Sequence, residues 1–202
     1  MNAKAQSITF CALVSLLLTA CGSSPPVRYF SLSSSVAAVG QDSEGAMALG
    51  FGPIRMPEYL NRSQIVTRGS GQELEVDEFS RWAEPLTIAL HRVVSTDVDN
   101  MMDGVIVVAF PFESVVRTQV DYRLLGDVVR FDADPGGRVI LETQWGIGVA
   151  ESGEILIREL RSRYEAQARS VDDPAAVASA MNDALAKFSR DIANKFEAAL
   201  QE

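Results

Sequence analysis

The chain is 202 residues long and carries 18 basic against 27 acidic side chains, a net charge of −9 at neutral pH. That balance excludes nucleic acid as a partner and argues against attachment to anionic lipid through a basic patch. One histidine and two cysteines cannot complete the usual nitrogen and sulfur ligand set of a zinc site.

The amino terminus divides into a short stretch with Lys4, an apolar core from Ile8 to Leu18, and Leu18-Thr19-Ala20-Cys21. This is the layout of a secretion signal. A core of eleven residues is well short of the ~18 needed to cross a bilayer as a helix. Leu18 to Cys21 resembles a lipobox, in which small residues admit a dedicated peptidase and the cysteine thiol carries diacylglycerol. The competing reading is an ordinary secretory peptide that ends near a cysteine. Gly22-Ser23-Ser24-Pro25-Pro26 then forms a flexible and next a stiff tether, suited to holding a domain off a surface. Cys11 lies in the segment to be removed, so no internal disulfide is possible in the mature chain. Loss of Lys4 leaves 17 basic against 27 acidic residues, a net charge of about −10. Membrane attachment therefore falls to the covalent diacylglycerol and acyl chain on Cys21, and no other cofactor is expected. Gly22 in place of Asp after the cysteine is, in the enteric sorting scheme, the mark of transfer to the outer membrane.

Three segments are expected: a signal peptide over 1–20, a lipidated tether over 21–26 and a single domain over 27–202. A short strand around Arg28 to Leu32 precedes a loop rich in Ser, Ala and Gly, from Ser31 to Gly45. Ala46 to Phe51 alternates apolar with small residues before Gly52-Pro53 and reads as a strand. Ile65-Val66-Thr67 and Leu74-Glu75-Val76 flank Gly69-Ser70-Gly71 as a hairpin. Phe79, Trp82, Leu86, Leu90, Val93 and Met101 fall near one helical face, so a helix is expected over this run. At Pro85 the helix either kinks or truly starts at Glu84, and a short first turn followed by the main helix is expected.

Val105 to Phe110 is a continuous apolar run closed by Pro111 and is expected to be the central strand, buried on both faces. Val139, Leu141, Thr143, Trp145, Ile147 and Val149 alternate with Glu142, Gln144, Gly146 and Gly148, a period of two over a long strand. With Tyr122 to Ala133 before it and Ile155 to Gln167 after it, this strand makes an antiparallel meander. The last helix opens at Asp173-Pro174, an acceptor cap followed by proline. Val177, Met181, Leu185, Phe188, Ile192, Phe196 and Leu200 form its apolar stripe. The expected fold is α+β (α/β in the broad sense), a mixed sheet containing an antiparallel meander and packed by two main helices.

Catalytic signatures are missing from this sequence. His91 stands mid-helix beside Arg92, where a lone histidine is structural or solvated. There is no Gly-x-Ser-x-Gly elbow, no phosphate loop and no full Gly-x-Gly-x-x-Gly. Gly146-Ile147-Gly148 reads as small residues on a strand face. Asp132 with Asp134, and Asp172 with Asp173, sit in turn or cap contexts where acidic residues belong. A lipidated, acidic domain of this kind points to a structural or binding part of an envelope machine and to no enzymatic role.

One block is more distinctive: Pro57-Glu58-Tyr59-Leu60-Asn61-Arg62-Ser63-Gln64-Ile65-Val66-Thr67-Arg68, then Leu74-Glu75-Val76 and Phe79-Ser80-Arg81-Trp82-Ala83-Glu84-Pro85-Leu86. Together with Arg28-Tyr29-Phe30-Ser31-Leu32 after the lipidated cysteine, it resembles the ABC-type transport auxiliary lipoproteins, the PqiC-like family. The resemblance extends from about residue 27 to 200. It implies a fold similar to the amino-terminal domain of TolB and no catalytic residues. It also implies an auxiliary role in lipid transport beside a periplasmic protein of the mammalian-cell-entry (MCE) type, at the periplasmic face of the outer membrane. A homo-oligomer, such as a ring, fits that role. Within the block, Tyr59 and Leu60 are expected at the core edge, Arg62 and Arg68 paired with Glu73 or Glu75, and Trp82 as an anchor for the helix. The functional alternative makes Tyr59, Arg62, Arg68 and Trp82 a contact for the partner or a neighbouring subunit. Two other roles remain open: a pilotin or assembly factor for another envelope complex, and direct carriage of an acyl chain in an apolar pocket.

Overall fold

The computed structural model describes residues 25–37, 46–110 and 120–201. Cys21, the lipobox and Gly22 to Ser24 lie outside these residues, as does most of the loop expected before residue 45. Eight strands make one sheet: β1 (Arg28–Phe30), β2 (Met47–Arg55), β3 (Gln64–Arg68), β4 (Leu74–Trp82), β5 (Val105–Ala109), β6 (Tyr122–Ala133), β7 (Arg138–Val149) and β8 (Ile155–Gln167). Two helices, α1 (Leu86–Met101) and α2 (Pro174–Ala199), pack against it, and a single 3-10 turn covers Glu58–Leu60. The mixed α and β architecture is the one expected.

The long strand β6 organises the sheet. One of its edges pairs antiparallel with β7 along nearly its whole length. Its other edge is shared: β2 runs parallel to its first half, from Leu49 opposite Tyr122 to Arg55 opposite Asp127, and β3 meets its end at Ala133. Beyond β3 lie β4 and then β1, which is parallel to β4. On the other flank β5 runs parallel to β2, the arrangement that a crossover through α1 produces.

The meander is as expected. Val139, Leu141, Thr143, Trp145 and Ile147 are all buried on one face of β7, and α2 lies on that face. Asp173 accepts a hydrogen bond from the Ala175 N–H at 3.1 Å, so the cap forms as read. The stripe Val177, Met181, Leu185, Phe188, Ile192 and Phe196 is almost wholly buried. Phe188 meets Trp145 edge-on with ring centroids 6.1 Å apart, and Phe196 meets Tyr122 at 5.1 Å.

Two expectations need correction. Phe79 to Trp82 belong to β4, and α1 begins only at Leu86, with Pro85 in the cap position. Ser80 and Trp82 are buried while Phe79 is 40% exposed. That alternation has a period of two, so Phe79 and Trp82 point to opposite sides and never share a helical face. The second correction concerns Val105 to Phe110: among the described residues β5 pairs only with β2 and is an edge strand, with Val105 alone of its residues fully buried. The central positions belong to β2 and β6. The apolar run of β5 reflects partial cover on both faces, which sequence periodicity does not separate from centrality.

Candidate functional site

The distinctive block folds around one carboxylate. The 3-10 turn after β2 places Tyr59 over the end of β6, and β3 brings Arg68 alongside it. The Tyr59 hydroxyl donates to Asp132 Oδ2 at 2.7 Å. Arg68 Nε and Arg130 Nε donate to Asp132 Oδ1 at 2.9 and 2.7 Å. Asp132 has no exposed surface, so its charge stands in a low-dielectric setting and depends on these three donors. The Arg68 guanidinium also sits 5.8 Å from the centre of the Tyr59 ring. Burial, followed by the hydrogen bond to Asp132, pushes the Tyr59 hydroxyl up to about 12.

This geometry revises two readings of the sequence. Asp132 lies in strand β6, not in the following turn; Asp134 alone has the turn role, accepting from the Gly136 and Arg138 N–H groups at 2.9 and 3.0 Å. Arg68 pairs with Asp132 and not with Glu73 or Glu75. Of the four residues named for a contact, Tyr59 and Arg68 are committed to Asp132. Trp82 is 5% exposed, and its backbone N–H donates to the Ser63 carbonyl. Arg62 is exposed and has no ion pair among the described residues. The structure thus gathers Tyr59 and Arg68 at one point and leaves Arg62 as the surface residue of the set.

His91 faces the core from α1. Its Nε2 accepts the Ile54 N–H at 3.0 Å, and its ring meets Phe51 edge-on. Burial pushes its pKa below the ordinary histidine value. The neutral ring is therefore a structural acceptor. Among the described residues no group of three or more His, Cys, Asp and Glu side chains is placed to hold a metal ion.

A second feature lies on the face of the meander turned away from α2. There Gly146 and Gly148 of β7 carry no side chains, and the neighbouring strands rise on both sides. Leu125 on β6 and Ile155 and Leu160 on β8 are 49%, 55% and 72% exposed. The result is an open trough of about 730 Å³, within the roughly 300–1,000 Å³ of small-ligand sites. The glycines permit its shape: a Cβ on Gly146 would stand 2.8 Å from the Ile157 carbonyl oxygen, and one on Gly148 equally close to that of Glu154. The β8 backbone thus bends over β7 on this face, helped by irregular register at Thr143/Trp145 and Ile147/Gly148. Arg123 and Arg158 stand on opposite walls, and the Arg55–Asp127 ion pair, at 2.6 Å, borders the trough. The alternation of glycines was visible in the sequence; the curvature that makes a concavity of it was not.

The amino-terminal segment is stitched to both helices. Ser34 Oγ donates to buried Asp97 at 2.5 Å, the Ser33 N–H donates to Asn182 Oδ1 at 3.0 Å, and Arg92 Nη2 donates to the Leu32 carbonyl at 2.8 Å. Residues 32–34 therefore tie α1 and α2 to one short segment. No helix among the described residues is long and apolar enough to cross a membrane, which leaves strands aside.

Solved structures share the fold, two of them as follows. Protein XCC0632 from Xanthomonas campestris superposes with a TM-score of 0.70 at 19% identity, covering 87% of this chain and 97% of its own. An uncharacterized protein of known crystal structure also gives 0.70 at 18% identity, covering 85% and 99%. Among curated proteins none matches the chain. The sequence pattern of one family matches residues 30–193, a span that includes the Tyr59 to Asp132 cluster, the trough and most of α2, and by it the chain belongs to the ABC-type transport auxiliary lipoprotein component family.

Proposed function

We propose that this protein is a non-catalytic accessory lipoprotein of an MCE-type, ABC-associated lipid transport system, held by Cys21 at the periplasmic face of the outer membrane and linking the periplasmic tube to that membrane. The observation that carries this reading is the family match over residues 30–193, joined to a lipobox with Gly22 after the cysteine. The structure supports it in two ways. Buried Asp132 and Asp97 and half-buried His91 are engaged in holding strands and helices together. The segment that follows the tether is bonded to both helices, as an anchor under load requires. The partner is an MCE-type periplasmic protein, and the working form is a homo-oligomer.

The test is to express the lipidated chain with an MCE-type protein of the same organism, separate the membranes by density and purify the complex. Recovery in outer-membrane fractions together with the MCE-type protein is expected. Recovery with the inner membrane and no MCE-type protein refutes the reading. Arg62→Glu, on the exposed part of the distinctive block, is expected to weaken the complex without unfolding the chain.

A further inference from the structure

We infer that the trough over Gly146 and Gly148 binds the hydrocarbon chain of an anionic amphiphile, with Arg123 and Arg158 holding its headgroup. This rests on the lipid-transport reading above and names a ligand site within it.

The walls and floor select the ligand. Leu125 on β6 is registered opposite Gly146, and Ile155 on β8 opposite Gly148. With no side chain standing on β7 at those two positions, the walls are two strand spacings apart, about 10 Å. The trough follows β6 from Arg123 to Asp127, about 13 Å of strand. An open apolar trough of this size accommodates part of one extended hydrocarbon chain. It does not fit a peptide strand, because the backbone N–H and C=O groups of β7 are already committed to β6 on one side and β8 on the other, leaving the floor no hydrogen bonds to offer. Nor do the helices cover these side chains, since α2 occupies the opposite face of the meander.

Charge decides the headgroup. The protein is strongly acidic, yet the trough presents guanidiniums. Arg123 is registered opposite Gly148 and Arg158 opposite Gly146, one on each wall, and both are exposed. Neither guanidinium has a hydrogen bond or ion pair among the described residues. Asp127, the carboxylate on the β6 wall, is neutralised by Arg55. Two free guanidiniums flanking an apolar channel recognise a phosphate or carboxylate attached to an acyl chain.

The experiment uses the mature chain from residue 22, made without its signal so that it carries no lipid of its own. The described residues, 25–37, 46–110 and 120–201, build one continuous sheet and core, so this form folds. Palmitate, palmitoyl-lysophosphatidylglycerol and dodecyl maltoside are titrated below their micellar concentrations, with native mass spectrometry for stoichiometry. One anionic molecule per chain is expected, bound at least about tenfold more tightly than the maltoside. Preference between the two anions distinguishes a fatty acid from a phospholipid as the source. Arg123→Gln with Arg158→Gln should erase the preference for anions and leave maltoside binding in place. Leu125→Glu with Leu160→Glu, at exposed positions, should abolish binding of all three in a chain with unchanged circular dichroism. Ile88→Glu on α1 is the control and should change nothing.

Equal affinity for all three probes, or anion binding unaltered by either double variant, overturns the proposal. So does a lipidated protein that no longer takes palmitate while the unlipidated form does, since its own acyl chain then fills the trough. Loss of the MCE-type partner in the leucine variants, with no amphiphile bound by the wild type, overturns it in favour of a protein interface. Because amphiphile binding is read on the isolated chain and the transporter link by co-purification, either reading can fail without the other.

Discussion

Removing the Asp132 carboxylate is the most direct challenge to the account of the distinctive block. In Asp132→Ala, Tyr59, Arg68 and Arg130 lose their common acceptor at once. Deleting one partner of a buried charged cluster costs about 3–5 kcal/mol when the remaining charges stay buried. Here the side chains of Arg68 and Arg130 keep 29% and 20% exposure, so water recovers part of the loss, and the expected cost is about 3 kcal/mol. With a urea slope near 2 kcal/mol per molar, the unfolding midpoint falls by about 1.5 M. Asp132→Asn keeps the shape and one acceptor but not the charge, and is expected to lose about half as much. A spectroscopic titration supplies a second reading. The Tyr59 hydroxyl, held up to about 12 by burial first and Asp132 second, should ionise at a lower pH in Asp132→Ala, yet stay above the free tyrosine value because burial persists. A midpoint within about 0.25 M of the wild type, with Tyr59 titrating as before, would falsify the assignment of Asp132 as the centre of the block.

Three further perturbations test other parts of the structure. His91 has a folded pKa below its unfolded value of 6.5, so the unfolded chain takes up a proton first as pH falls. The stability it contributes is complete above about pH 6.5 and declines below that value; unfolding midpoints from pH 8 to 5 should show this decline, and His91→Gln should flatten it. Gly146→Ala places a Cβ 2.8 Å from the Ile157 carbonyl oxygen and should destabilise the chain by about 1–3 kcal/mol, read from its urea unfolding midpoint. Cys21→Ser should abolish the mass added by lipid at the mature amino terminus and release the protein from the membrane fraction; retention of the unlipidated chain there counts against the anchor.

The meander and α2 were legible in the sequence because each is a long amphipathic element whose period is set locally. Twelve residues of β7 and 26 of α2 repeat their pattern often enough to exclude the other period, and Asp173-Pro174 marks the helix start by its own chemistry. Phe79 to Trp82 were misread because four residues satisfy both periods, and only the pairing of β4 with β3 and β1 chooses between them. The place of β5 at the edge is a matter of strand order, which no stretch of chain encodes alone.

The same division holds for the candidate sites. Tyr59, Arg68 and Trp82 stood out as residues, but the carboxylate that explains two of them is 73 and 64 positions away in the chain. The sequence by itself determined an acidic chain, a long meander and an amphipathic closing helix, since these follow from composition and local periodicity. Tertiary structure decided what surrounds Asp132, and it decided that the two glycines of β7 form the floor of a trough. Both depend on how far β8 bends over β7 and where β3 meets β6, contacts whose energy is realised only when distant segments pack.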